Sequence, residues 1–138
     1  MVLDTAVLVA GLRSKRGASF RLLEMVADRR VLPLASTALY LEYEAVLKRP
    51  EHLAAMHLSA ADVDDLLSGL SRALQPVHLH YTWRPQLRDP GDELVLEVAV
   101  NGGADFIVTH NIRDFGSASA LFEFSVCTPG QLLSRIIS

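Results

Sequence analysis

The sequence predicts an α/β protein: a central, mostly parallel sheet flanked by helices, with right-handed crossovers. Three observations carry this. Two segments, VLDTAVLVA (2–10) and DFIVT (105–109), are apolar and rich in β-branched residues, as strands buried on both faces are. Stretches with helical spacing of apolar residues lie between and after them. Recognisable caps and stops separate these, so strand and helix alternate along nearly the whole chain.

In order, the first strand is expected over 2–10, followed by a basic loop, RSKRG (13–17). Ser19 is a candidate cap for a helix from about Phe20 to Arg30, with Leu22, Leu23, Met25 and Val26 apolar and Asp28, Arg29 and Arg30 outward. VLPLAS (31–36) reads as a short strand, with Pro33 marking an edge or irregularity. Thr37 caps a helix carrying Leu39, Leu41, Val46 and Leu47, stopped by Pro50. Residues 51–75 are again helical, with Ser59 as a cap. Leu58, Leu66, Leu67 and Leu70 there face either the core or an interface.

VHLHYTW (77–83) alternates like a strand and RPQLRDPGDE is a loop. ELVLEVAV is a helix ended by Asn101-Gly102-Gly103. After DFIVT come the loop HNIRDFGS, a short helix, the strand FSVCT (124–128) and a last helix from near Pro129. There is no repeat, low-complexity tract or linker, so one domain over 1–138 is expected.

With 138 residues, half of them hydrophobic and about a fifth charged, the chain is globular rather than disordered. No apolar run approaches the ~20 residues of a membrane span. The start lacks the basic n-region of a signal peptide. A cytoplasmic protein without a membrane partner is therefore expected. The single Cys127 excludes an internal disulfide. The net charge of −3 shows no basic imprint of nucleic acid, yet a site that holds metal ions is itself rich in acid.

Local pattern therefore matters more than net charge. Ligands of open parallel sheets bind beyond the carboxyl ends of the strands, where strand order reverses. Asp4 falls in the first apolar run, Glu42 in a helix, Asp89 and Asp92 at a helix start, and Asp114 after the IVT strand. Each has a bland reading. Asp89 is a natural N-cap before Pro90, and Asp92 suits the helix dipole. Glu42 is either solvated or, at i+3 from Leu39, on an apolar face, with Glu44 the solvated neighbour. Asp114 is either a turn residue or a cap. Asp4 has the weakest bland reading, because a helix is not expected to begin inside its run. Gathered in one pocket, such carboxylates would repel unless a cation shared them. Oxygen donors favour Mg²⁺ or Mn²⁺, which activates water in phosphodiester cleavage. There is no cysteine pair for zinc, no GxxxxGK[ST] and no GxGxxG.

VLDTAVLVAGL, STALYLEYEAVLKRPEH, RDPGDELVLEVAVNGGADFIVTHNIRDF and the CTPGQLL ending together resemble a PIN domain, the ribonuclease fold of VapC-like toxins. EYEAVLKRP and VTHNIRDF are most similar to the subgroup described as toxin components. The resemblance covers essentially the whole chain and implies a three-layer fold. It also implies metal-dependent endoribonuclease activity, an RNA substrate, a cognate antitoxin and a homodimer or higher homo-oligomer. By it, Asp4, Glu42 and Asp92 match the acidic metal positions and Asp114 a fourth, more variable one. Thr109 matches a hydroxyl near the metal and Asp89 an acid frequent in the subgroup. Asn111 stands where many relatives carry another acid. The family's Asp-Thr-Asn reads Asp4-Thr5-Ala6 here, which keeps Thr5 as a candidate beside the metal or substrate and removes an amide that would help orient the pocket.

Arg13, Lys15 and Arg16, placed beyond the first strand, are candidates to neutralise phosphates, or they form a solvated basic loop. Lys48 and Arg49 end a helix, where cations suit the dipole and need no other purpose. His78 and His80 resemble half a metal site without a third ligand. His110, beside the proposed pocket, is a candidate phosphate contact. Tyr81 and Trp83 read as packing residues. Two further classes stay open. One is a catalytically weak module that binds RNA or a protein, motivated by Ala6 and Asn111. The other is a haloacid-dehalogenase-type phosphotransfer enzyme, which ranks last because DTA lacks the second acid of a DxD.

Overall fold

A computed structural model describes residues 1–80, 89–119 and 123–137. Three short parallel strands form its centre: β1 (Val2–Leu3), β4 (Phe106–Val108) and β5 (Ser125–Cys127), in the order β1-β4-β5. Val2 pairs with Ile107 and Leu3 with Val108. A second parallel pair joins β2 (Leu34–Ala35) to β3 (Gln75–Pro76). The two sheets meet at the N-terminus, where Leu34 N–H donates to the Met1 carbonyl (2.8 Å) and the Met1 amino group donates to the Leu32 carbonyl (2.9 Å). That exchange continues the parallel pattern. The strand sequence across the molecule is thus 3-2-1-4-5, and order reverses between β1 and β4.

Helices flank this sheet: α1 (Thr5–Arg13), α2 (Ala18–Ala27), α3 (Thr37–Leu47), α4 (Pro50–Met56), α5 (Ala60–Ala73), α6 (Pro90–Gly102), α7 (Gly116–Ser119) and α8 (Pro129–Ile137). The strands are fully apolar where covered, with Val2, Ile107 and Val108 at 0% exposure. They join one core with Leu22, Leu39, Leu47, Val95, Leu96 and Phe115. Local chemistry places the boundaries. Ser36 accepts from Leu39 N–H and caps α3, and Ser59 forms a reciprocal capping box with Asp62 at α5. Asp89 caps α6, and Gly103 (φ 62°) ends it in the left-handed conformation, as the Asn-Gly-Gly stop implies.

Several expectations change. The run at 2–10 is not one strand: it turns helical at Thr5, with Asp4 in the N-cap position. The apolar residues Val7, Leu8 and Val9 are buried as one helix, because a short apolar run fits a buried helix as well as a strand. Arg13 is therefore the last residue of α1 rather than part of a loop after a strand. Ser19 lies inside α2, which starts after Gly17, and Ser36 rather than Thr37 caps α3. The helical stretch 51–75 is two helices broken at His57, which takes φ 57°. Gln75–Pro76 is the strand there, ahead of the expected 77–83. Residues 81–83, with Tyr81 and Trp83, lie outside the described residues. Leu67 faces the core while Leu66 is 42% exposed.

Candidate functional site

A cleft of about 510 Å³ opens beyond the carboxyl ends of β1 and β4, at the reversal of strand order. It is lined by Asp4, Thr5, Ala6 and Arg13 of the first segment and by Glu42, Arg49 and His52. Asp89, Gly91, Asp92, Asn111 and Asp114 complete its polar wall. All four acids expected to cluster thus face one space, although they come from four separate elements.

Asp4 is held in place from two sides. Its N–H donates to the Val108 carbonyl (2.9 Å), extending the ladder by one residue. Its Oδ2 accepts from the Thr109 hydroxyl at 2.7 Å. Thr109 is fully buried, and its oxygen also accepts from Asn111 N–H (3.0 Å). One hydroxyl therefore ties the end of β1 to the loop carrying Asp114. Although Asp4 occupies an N-cap position, its side chain makes no capping hydrogen bond. Burial pushes the Asp4 carboxyl up, the Thr109 hydroxyl and the nearby Thr5 and Ala6 N–H groups oppose this, and the Asp114 charge adds to it.

Glu42 is placed by its neighbour. Tyr43 is buried on α3, and its hydroxyl donates to the Leu3 carbonyl at 2.6 Å, pinning α3 to the end of β1. Burial, and then the Asp4 charge, holds the phenol far above its ordinary range, so it remains a donor. The Glu42 carboxylate lies against the first turn of α6. A Cβ added at Gly91 would stand 3.3 Å from Glu42 Oε1 and 3.0 Å from Asp89 Oδ1. Glycine admits this approach. Glu44 turns away and pairs with Lys48 (3.3 Å), which also binds Asp64 (2.6 Å).

Asp89 performs the capping role expected of it, accepting from Gly91 N–H (2.7 Å) and Asp92 N–H (3.3 Å). The Asp92 carboxyl is pushed up to about 7, first by burial and then by the charges of Asp4, Asp89, Asp114 and Glu93. Burial disfavours the charged form, and the neighbouring carboxylates add to this by repulsion. The donors are all hard oxygens, which suits Mg²⁺ or Mn²⁺. Among the described residues no three Asp, Glu, His or Cys side chains stand close enough together to hold a metal ion. The four carboxylates instead line one open cleft, and an ion there would have to be held by few protein ligands and complete its shell with water.

The expected peripheral residues divide. Thr5, Arg13 and Asn111 line the cleft, and Thr109 lies directly behind Asp4. Lys15 and Arg16 are exposed beyond the end of α1 and are not part of the cleft wall. They follow a helix rather than a strand, so the chain carries them away from Asp4. His110 also lies off the cleft, with its Nε2 hydrogen-bonded to Ser19 Oγ of α2 (3.1 Å). Among the described residues, His78 and His80 form no metal-binding group with a third side chain. Sequence reasoning passed over Gly91, His52 and the cleft position of Arg49. The glycine between two acids in DPGDE was the available signal for the first. Glu42, Val46 and Arg49 at i, i+4 and i+7 were the signal for the last.

Fold and cleft define an α/β protein with an oxygen-donor site at a topological switch point, the place where ligands bind in such sheets. The family model of the PIN domain matches residues 1–113, and the chain belongs to that family. PIN domains are generally nucleases that use divalent metal ions. The match includes Asp4, Glu42 and Asp92, and Asp114 follows its last residue. No curated protein and no solved structure matches the chain. Among the described residues no helix is long and apolar enough to cross a membrane.

Proposed function

We propose that the protein is a Mg²⁺- or Mn²⁺-dependent endoribonuclease whose metal ligands are drawn from Asp4, Glu42, Asp92 and Asp114. The observation that carries this reading is the convergence of four carboxylates, from the β1–α1 junction, α3, α6 and the turn after β4, on one cleft. A divalent ion bound there would supply an activated water and a counter-charge for the leaving oxygen. The chain's own residues do the rest. Thr109 donates to Asp4 and favours its ionised, ligating form. Tyr43 pins α3, which carries Glu42, to the end of β1, and Gly91 lets the Glu42 carboxylate approach the first turn of α6. Asp89 holds the α6 start and so aims Asp92.

The similarity of EYEAVLKRP and VTHNIRDF to toxin components supports a cytoplasmic toxin of a type II pair, bound by a cognate antitoxin and self-associated. Incubation with single-stranded RNA in Mn²⁺ or in EDTA tests the activity. Cleavage is expected in Mn²⁺ alone and is lost in Asp4→Asn. Cleavage that survives EDTA, or none in Mn²⁺, contradicts the reading.

A second reading is favoured by Ala6, which is exposed in the cleft where relatives carry an asparagine. On that reading the domain is a weak or inactive module that binds RNA or a protein. Under it, RNA is bound but not cut, and Ala6→Asn does not raise cleavage.

A further inference from the structure

The cleft that gathers the acids also contains two guanidiniums, Arg13 and Arg49, and the ring of His52. Neither guanidinium forms an ion pair among the described residues, although carboxylates line the same space. Their spacing explains this. Asp4 and Arg13 stand at opposite ends of α1, roughly 13 Å apart along the axis, and Arg49 lies beyond the end of α3, the helix that carries Glu42. The cleft thus carries two solvent-exposed guanidiniums that are not paired with its acids. Arginine is the residue suited to forked hydrogen bonds with phosphate oxygens.

His52 secures this arrangement. Its Nδ1 lies 2.7 Å from the Val46 carbonyl, and because a carbonyl only accepts, Nδ1 carries the proton and donates. That bond ties α4 to the last turn of α3, the helix that bears Glu42. Arg49 sits at the junction of the two helices, so its distance from the acids is fixed by a side-chain brace rather than by chain connectivity alone.

We propose that Arg13 and Arg49 hold backbone phosphates of bound RNA beside the acids of the cleft, with His52 as the positioning residue for Arg49. This rests on the nuclease reading for its substrate, but the two separate experimentally. Binding of a 5′-labelled single-stranded RNA is measured by fluorescence anisotropy in EDTA, where no metal is held, across a salt series. Arg13→Gln and Arg49→Gln are each expected to weaken binding about tenfold. Each should also flatten the dependence of log K on log salt by about 0.7, the share of one single-strand phosphate contact. Arg16→Gln, off the cleft, serves as the control and is expected to change neither. Calorimetric Mn²⁺ affinity of the arginine variants should match the wild type.

His52→Ala is expected to lose RNA affinity as Arg49→Gln does. His52→Asn, whose amide can donate to the same carbonyl, should recover it, which loss of packing alone does not predict. Wild-type affinity and slope in both arginine variants, or an equal loss in Arg16→Gln, overturns the proposal. Failure of His52→Asn to recover binding overturns the positioning role. A protein that neither binds Mn²⁺ nor cuts RNA, yet shows the arginine effects, refutes the nuclease reading and upholds this one.

Discussion

Replacing Thr109 with valine removes one hydroxyl from a fully buried position while nearly preserving shape. That hydroxyl does two things: it donates to Asp4 Oδ2 at 2.7 Å and accepts from Asn111 N–H at 3.0 Å. A hydrogen bond to a charged group contributes about 1.5–3 kcal/mol, whereas Asn111 is exposed and its N–H can turn to water at little cost. Protonation of Asp4, already favoured by burial, offsets part of the first. A net destabilisation of about 1–2 kcal/mol follows, which lowers the melting temperature of a domain this size by roughly 3–7 °C. Loss of the donor also pushes the Asp4 carboxyl further up, so protons compete better with a cation at neutral pH. Denaturant unfolding and the thermal shift induced by Mn²⁺ are the assays. Thr109→Val should be destabilised and show a reduced Mn²⁺ shift, while Thr109→Ser keeps both hydrogen bonds and costs about 1 kcal/mol of lost methyl packing. Stability of Thr109→Val within about 0.5 kcal/mol of wild type, with an undiminished Mn²⁺ shift, refutes the reasoning.

Tyr43→Phe leaves the Leu3 carbonyl without its donor and should cost about 1–2 kcal/mol in urea unfolding. Gly91→Ala should leave stability unchanged or slightly raised, since alanine is the better helix former. Its Cβ crowds Asp89 and Glu42 by a few tenths of an ångström, so RNA cleavage should fall about tenfold with an unchanged circular dichroism spectrum. The folded protein holds the Asp92 proton up to about pH 7 against an ordinary value of 3.8, so it binds more protons than the unfolded chain between those values. In EDTA, stability should therefore fall as pH rises from about 4 to 7 and level off above. Asp92→Asn should flatten that decline, and a decline of unchanged steepness in the variant would count against this origin.

Much of the site was legible because its chemistry is local. Asp89-Pro90 marks a helix start by itself, and Asn101-Gly102-Gly103 marks the stop, so the position of Asp92 followed from sequence alone. The position of Thr109 at the end of a buried strand was equally clear. The first twelve residues were less so. A two-residue strand running straight into a helix whose residues 6–12 are all uncharged and mostly apolar leaves little to betray the change of period, and Asp4-Thr5 at the junction is its one polar mark. That error moved Lys15 and Arg16 to the wrong place and concealed that α1 spans the cleft from Asp4 to Arg13. The His110–Ser19 contact joins residues 91 apart in sequence, and the His52–Val46 brace depends on a break between two helices; no periodicity reports either. Nor does the spacing of ELVLEVAV reveal that Glu93 and Glu97 are buried.

The central claim is that Asp4, Glu42, Asp92 and Asp114 share a divalent cation. Calorimetric titration of the metal-free protein with Mn²⁺ tests it most directly. Saturable binding is predicted for the wild type and its loss for Asp4→Asn and Asp92→Asn, both still folding cooperatively. Absence of Mn²⁺ binding by the wild type, or wild-type binding by both variants, would contradict it.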